Sequence, residues 1–332
     1  KRPTSRCSLR MCRAVRAIIG ATNRLGLAES EVVAQERLVG PEIYLNSVSR
    51  DGRHAVTEIW LETKRPARAA PDAPFAYDTF QLLPGDDVLA GYLGAWLGRV
   101  LDALGVRWGP AHTELILTAD GPRLIDFGAR LDGVLLPALN EECIGKSPVT
   151  LTADAYLDPG AWEAWAAEPY RLRKHATMVV VDNPCAGVLR DDTGLRGLSA
   201  LPTFHALRPR WDVGEAVPAT KDAFSYHAIV TLRDEDLVRV RADHAHIRRL
   251  EAADLLLDAT PRAPDEAAPF GPSPFDDPRG GDAWGRALES LGWTTVSDPG
   301  GLVARVRDSL DGTLVWVPRQ ARVLRLDALE RL

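Results

Sequence analysis

The stretch Gly109–Gly133 reads GPAHTELILTADGPRLIDFGARLDG and predicts a β-hairpin. Its two runs ELILT and RLIDF have the composition of strands. Between them, Ala119-Asp120-Gly121 supplies a three-residue turn in which glycine takes the positive-φ position. The residues that face each other across this hairpin limit what it can bind.

Pairing Thr118 with Pro122 in that turn places Glu114 directly opposite Asp126. The other face of the hairpin is then apolar and carries Leu115, Leu117, Ile125 and Phe127. Two carboxylates that face each other across a strand pair repel, so the hairpin is strained unless a cation lies between them. Mg²⁺ held by a few carboxylate oxygens, with the phosphates of a nucleotide completing its shell, fits this arrangement.

Arg130 follows Asp126 by four residues and is expected to reach the same place, where its guanidinium can hold a phosphate or carboxylate in a fork. The alternative is a surface hairpin whose acids are simply solvated. Convergence of Glu114, Asp126 and Arg130 beside an apolar face favours the ion site.

The composition sets broad limits on function. The chain has 332 residues, with 40 basic against 46 acidic side chains and a net charge of −6, so charge gives no argument for nucleic acid or a membrane as partner. Its longest apolar runs are too short to span a bilayer. Four cysteines without CxxC spacing, Cys7, Cys12, Cys143 and Cys185, indicate reduced thiols and a cytoplasmic protein.

Upstream of the hairpin, a short helix is expected over 13–21, followed by a three-strand antiparallel unit. The strands of this unit are VVAQERLV (32–39), EIYLNSVSR (42–50) and HAVTEIWLE (54–62). Gln35 and Glu42 flank the bend at Gly40-Pro41, where free main-chain groups can bond a flat heteroaromatic edge and a carboxylate can take a ribose diol. A purely structural role for these residues is left open.

The remaining helices, strands and loops are predicted from the spacing of apolar residues and from the positions of proline and glycine. Residues 63–84, with four prolines, are expected to form a loop or lid, and Asp86 or Asp87 caps a core helix that ends at Gly105. Later elements are helices at 150–157 and 161–167, a strand at 176–181, and a strand-rich segment to about 252 that contains GVL, FHAL, SYHAIVTL and LVRVRA. His205, His227, His244 and His246 are interpreted as ordinary surface or core residues.

Two motifs in order, QERLVGPEIYLNSVSRDG (35–52) and the hairpin at 109–133, resemble the ATP-grasp superfamily, and most of all the carboxylate–amine ligases that join amino acids into dipeptides or related amides. The resemblance runs from about residue 1 to 251. It implies an α+β ATP-grasp fold of two α/β subdomains with antiparallel sheets, lacking the amino-terminal domain. The expected divisions are 1–157 for nucleotide binding, 158–259 for a second α/β subdomain, 260–283 for a linker and 284–332 for a small α/β tail.

The resemblance also implies a nucleotide site. Gln35, Glu36 and the main chain at Leu38 would hold the adenine, Glu42 would hold the ribose, and Lys1 would contact phosphate. The implied ligands are ATP and Mg²⁺, with Mn²⁺ as an alternative ion.

For catalysis, the resemblance implies that Glu114 and Asp126 bind the magnesium ions and that Arg130 stabilises an acyl-phosphate and the tetrahedral state after it. The substrates would be a small-molecule carboxylate and an amine, with no nucleic acid or membrane partner, and a homodimer is left open. A degenerate module that binds nucleotide or a partner without turnover is the main alternative. A carboxylase-type subunit is another, although no biotin or bicarbonate context is present.

The sequence departs from the family pattern at several points. Asp126 stands where most members have Glu, and Gly128 stands where many have an Asn metal ligand. The loop 4–10 after Lys1 contains no glycine, although the family folds a glycine-rich loop over the phosphates here.

Overall fold

The structure is a computed structural model that describes residues 15, 17–19, 21–22, 36–69, 76–134 and 136–261. The chain divides into two compact units, 1–39 and 40–332. In the first unit, residues 15, 17 and 18 are helical, in agreement with the helix expected over 13–21. The linker and tail predicted beyond residue 261 lie outside the described residues.

Within its described residues, the second unit contains an eight-stranded sheet and a three-stranded sheet. Their strands are β1 (Glu42–Arg50), β2 (Arg53–Arg65), β3 (Ala76–Leu82), β4 (Gly109–Thr118), β5 (Gly121–Gly128), β6 (His175–Val181), β7 (Gly187–Asp191), β8 (Phe204–Pro209), β9 (Ala216–Val217), β10 (Ala228–Asp234) and β11 (Asp258–Pro261). The strand order is β5-β4-β1-β2-β3-β6-β10-β8 in the large sheet and β11-β7-β9 in the small one. The large sheet runs through the expected division at 157/158, and that division stays a prediction.

The helices connect these strands. They are α1 (Val88–Ala103), α2 (Pro137–Ile144), α3 (Pro148–Leu157), α4 (Pro159–Ala166), α5 (Thr193–Gly197) and α6 (Leu237–Ala252), with a 3₁₀ turn at Leu198–Ala200. Within the described segments no helix has both the length and the apolar character to cross a membrane.

Helix α1 confirms the capped helix expected from the sequence. Asp87 is its N-cap and accepts a hydrogen bond from the Ala90 amide at 2.7 Å. The helix gives way after Leu104 to Gly105, whose φ of +72° suits glycine.

Two predictions, for the segments before β1 and after β2, fail over the residues that the structure describes. Residues 36–39 form no strand, and 31–35 lie outside the described residues; the free edge of β1 pairs instead with β4, from much later in the chain. The segment 63–84 is also more regular than a loop, because β2 continues to Arg65 and β3 occupies Ala76–Leu82. Buried Ala76, Phe80 and Leu82 supply the alternation that the prolines obscured.

The run LVRVRA was predicted as a strand but begins helix α6. Its apolar residues alternate as in a strand, but the preceding Asp236 starts a helix here, because its side chain accepts a hydrogen bond from the Val238 amide at 2.8 Å. Val240, Ile247 and Glu251 are the buried residues of this helix, at a spacing typical of one helical face.

The two faces of the large sheet are covered differently. Helix α1 packs on the face that carries Leu45 and Val56, where a Cβ added to Gly94 would lie 3.6 Å from Val56. Tyr44 and Glu58 point to the opposite face because side chains alternate along a strand. That second face, partly covered by α2, carries the residues of the candidate site.

Candidate functional site

The hairpin of β4 and β5 places Glu114 directly opposite Asp126, as the sequence predicted. The turn is different from the predicted one: Thr118 pairs with Gly121, leaving a two-residue connection. A register shift after Glu114 compensates, because Leu115 pairs with Leu124 and one extra residue is accommodated on β5. The bulge therefore restores the opposition of the two acids that a shorter turn alone would have lost.

The apolar side of the hairpin is confirmed for three of its four predicted residues. Leu115 is fully buried, and Leu117 and Phe127 pack against the core. Ile125 is 44 % exposed, so its assignment to the apolar face is wrong. The register shift explains this, because it changes which β5 side chains follow the two-residue alternation.

Glu114 is partly buried and has a polar neighbour that the sequence analysis did not identify. Nε2 of His112 lies 3.2 Å from Oε1 of Glu114. The hydrogen bond from His112 lowers the pKa of Glu114, with smaller contributions from the positive charges of Lys64 and Arg130. Glu114 is therefore held as a carboxylate, while Asp126 across from it is exposed.

A buried polar chain continues from His112 into the sheet. Asn46 donates a hydrogen bond through Nδ2 to Glu58 and so turns Oδ1 towards Nδ1 of His112, at 2.7 Å. Asn140 on α2 donates to the other oxygen of Glu58. Because Oδ1 of Asn46 can only accept, His112 donates to it through Nδ1, and Nε2 of the same ring faces Glu114. Through this chain the core fixes the orientation of Glu114.

Glu58, at the centre of this chain, is 3 % exposed. Burial raises the pKa of Glu58 to about 7, Asp132 adds to the rise, and the amides of Asn46 and Asn140 oppose it. The signal in the sequence was the presence of Asn46 and Glu58 at inward positions of apolar strands, but only strand pairing showed that they meet His112.

Arg130 folds back over the end of the hairpin. A Cβ added to Gly128 would lie 3.1 Å from both Cγ and Nε of Arg130. Nη1 of Arg130 donates to the Leu131 carbonyl at 3.0 Å. Gly128 therefore provides the space in which the Arg130 side chain lies.

The bend before β1 is anchored against the hairpin strand β4. A Cβ on Gly40 would come within 2.1 Å of the Leu117 carbonyl oxygen, and the Leu117 amide donates to the Pro41 carbonyl at 2.9 Å. Only glycine fits there, at a φ of +156°. This close approach fixes the start of β1, where Glu42 lies.

Glu42 contacts Nζ of Lys64, a partner that the sequence analysis did not identify. Of the other predicted nucleotide residues, Glu36 is exposed and Leu38 half-buried in the segment 36–39, which has no helix or strand. Lys1 and Gln35 lie outside the described residues. The roles of all five stay predictions.

The metal prediction can be tested against the donors present. In the part of the chain that the structure describes, no group of three or more His, Cys, Asp or Glu side chains is arranged to hold a metal ion. Glu114 and Asp126 supply two carboxylates. This number fits Mg²⁺, which keeps water and substrate phosphates in its shell and needs only one or two carboxylates.

No family model matches the chain. It is 31 % identical over 176 residues to dapdiamide A synthase from Enterobacter agglomerans, a match that covers 52 % of this chain and 41 % of the relative. The chain thus spans about two fifths of the length of that curated relative.

Solved structures show the fold. An L-amino acid ligase from Bacillus licheniformis superposes with a TM-score of 0.54 at 18 % identity, over 68 % of this chain and 55 % of the other. A phosphoribosylglycinamide synthetase from Anaerococcus prevotii gives 0.50 at 10 % identity, with the same coverage. The chain has the α+β ATP-grasp fold, and its resemblance to carboxylate–amine ligases is confirmed.

Proposed function

We propose that this chain catalyses ATP-dependent ligation of a carboxylate to an amine, forming an amide of dipeptide type through an acyl-phosphate. The observation that carries the proposal is the opposition of Glu114 and Asp126 across β4 and β5, in an ATP-grasp fold. Opposed acids beside a buried core would hold a divalent ion, which would neutralise charge on nucleotide phosphates.

The proposed reaction has two steps. An oxygen of the substrate carboxylate attacks the γ-phosphorus of ATP, and ADP leaves. The amine nitrogen then attacks the carbonyl carbon of the acyl-phosphate, the C–N bond forms, and inorganic phosphate and a proton are released. Positioning and charge carry such phosphoryl transfer, with little covalent help from the protein.

Each residue of the site has a proposed task. Glu114 and Asp126 would hold Mg²⁺, which when bound neutralises phosphate charge. Arg130 would hold the acyl-phosphate oxygens as a fork, because guanidinium matches phosphate geometry. His112 keeps Glu114 oriented, since its own ring is fixed by Asn46. Glu42 would accept hydrogen bonds from the ribose hydroxyls.

The test is to incubate the full chain with ATP, Mg²⁺ and pairs of amino acids, following phosphate release and the mass of the amide product. Glu114→Gln should remove both signals, because it deletes a metal contact. Asp120→Asn, an exposed acid in the turn of the same hairpin, is the matched control and should leave both unchanged.

Amide formation by Glu114→Gln at the rate of the unmodified chain would overturn the proposal. Calorimetry with Mg²⁺ and a non-hydrolysable ATP analogue separates the remaining outcomes. Binding of the analogue without amide formation from any pair would favour the degenerate nucleotide-binding module over the ligase.

A further inference from the structure

A second pair of acids faces each other in the same sheet. Glu42 on β1 is the direct partner of Glu62 on β2. Like charges directly opposite each other destabilise a strand pair. Lys64, two residues beyond Glu62 and therefore on the same face, relieves this repulsion.

The contacts of Lys64 join both acids. Its Nζ contacts Oε2 of Glu42 and lies 3.0 Å from Oε1 of Glu62. It also lies 5.8 Å from the ring centroid of Tyr77 on β3, within the range of a cation–π contact. The ammonium is thus held by groups on three neighbouring strands.

Exposure distinguishes the two acids. The Glu62 side chain is 9 % exposed, whereas those of Glu42 and Lys64 are 27 % and 29 % exposed. Glu62 is therefore the buried anchor of the cluster, and Glu42 is the member that a ligand can reach. A carboxylate has about four acceptor sites, so an ammonium contact leaves Glu42 able to accept from hydroxyl groups.

The charge balance agrees with this division. Burial raises the pKa of Glu62 to about 7, and Lys64 opposes that rise. The Glu42 carboxylate also raises the pKa of Glu62, so the ammonium offsets a repulsion between the two acids.

We infer that Lys64 is a positioning residue of the nucleotide site, which holds Glu42 against Glu62 so that the Glu42 carboxylate meets the ribose hydroxyls of ATP and not a metal ion. The inference rests on the proposed role of Glu42 as the ribose acceptor. The ammonium occupies the space between the acids that a divalent ion would need, which reserves this pair for a neutral diol.

The experiment compares ATP with 2′,3′-dideoxy-ATP, which lacks both ribose hydroxyls, by calorimetry on the full chain with Mg²⁺. Lys64→Met should weaken ATP about tenfold, the size of a lost hydrogen bond to a charged group, while dideoxy-ATP affinity stays within about twofold. Lys64→Arg retains a cation and should keep the preference for ATP. Equal weakening of both nucleotides by a folded Lys64→Met variant would overturn the inference, because Lys64 would then act on a part of ATP other than the ribose.

Glu42→Gln separates this inference from the function beneath it. If Glu42→Gln leaves the preference for ATP intact, the ribose assignment itself fails. If Glu42→Gln removes the preference and Lys64→Met does not, only the positioning role fails.

A charge-matched variant covers the case in which Lys64→Met does not fold. At pH 8, above the raised pKa of Glu62, Lys64→Gln combined with Glu62→Gln removes one positive and one negative charge from the cluster. Loss of the ATP preference in this double variant supports positioning by Lys64, and a retained preference overturns it.

Discussion

Two pairs of opposed carboxylates lie in one sheet, and their surroundings differ. Glu42 and Glu62 face each other across β1 and β2, and Lys64 contacts both. Glu114 and Asp126 face each other across β4 and β5, where His112 contacts Glu114. In the described part of the chain, no salt bridge involves Asp126.

The difference shows which pair of acids has its negative charge offset by a side chain of the protein: Lys64 does so for Glu42 and Glu62. A lysine between two acids leaves a carboxylate that suits neutral hydroxyl donors. A pair with one acid held by histidine and the other exposed keeps charge for a divalent ion. The same local pattern, acid opposite acid, would therefore suit two different ligands, and a side chain two residues away from one acid, Lys64 or His112, distinguishes the two pairs.

The largest expected effect separates the two pairs by metal binding. Glu114→Gln with Asp126→Asn should weaken Mn²⁺ binding in the presence of ATP by on the order of 100-fold, because two carboxylate ligands become neutral. Glu42→Gln should leave Mn²⁺ binding unchanged once ATP saturates that variant. Paramagnetic resonance of free Mn²⁺ measures both, and an equal loss in the two variants would remove the distinction between the pairs.

A smaller effect is expected at the end of the β4–β5 hairpin. Gly128→Ala should lower amide formation about tenfold. The new Cβ would lie 3.1 Å from Cγ and Nε of Arg130, which is too close, so the Arg130 side chain would have to move. The affinity of Gly128→Ala for ATP should be unchanged. Gly91→Ala on α1, where no atom lies within 4 Å of the added Cβ, is the matched control. Full activity in Gly128→Ala would show that Arg130 needs no such space.

The pairs should also differ in how pH affects stability. The pKa of Glu62 is raised from 4.5 to about 7, so its contribution to folding is fully present below pH 4.5 and is lost as pH rises to 7. Glu62→Gln should reduce that decline in the free energy of unfolding by about 1–2 kcal/mol. Urea unfolding between pH 4.5 and 8 measures it; Glu58 acts in the same window, so only the difference from the unmodified chain counts.

Glu114 should act in the opposite direction. Its pKa is lowered by His112, so its contribution is present above pH 4.5 and is lost as pH falls. Glu114→Gln should therefore flatten the acid side of the stability profile and leave the neutral side unchanged. A change confined to the neutral side would contradict the contact with His112.

The smallest effect is expected from Asp126→Glu. The charge is kept and the reach extended by one methylene, so amide formation should stay within about threefold of the unmodified chain. A loss as large as that expected of Glu114→Gln would indicate that the length of this side chain is matched to the site. Steady-state phosphate release is sufficient to measure it.

Local patterns in the sequence predicted several of these features correctly. The opposition of Glu114 and Asp126 follows from two-residue alternation, and it survived an incorrect turn because a bulge near Ile125 restored the register. The cap at Asp87 and the apolar spacing of α1 also depend only on residues close in sequence. The same local reasoning failed for LVRVRA. These six residues alternate like a strand, but they are the start of the 16-residue helix α6, whose apolar spacing becomes visible only over its full length.

The sequence by itself determined the hairpin, its opposed acids and the capped helix, because turn chemistry and side-chain alternation act over a few residues. Only the tertiary structure decided that β4 pairs with β1, that His112 meets Asn46 and Glu58, and that Lys64 on β2 bridges to Glu42. Those contacts join strands that are distant in the chain, and burial of their polar groups is stable only when packing brings every partner together.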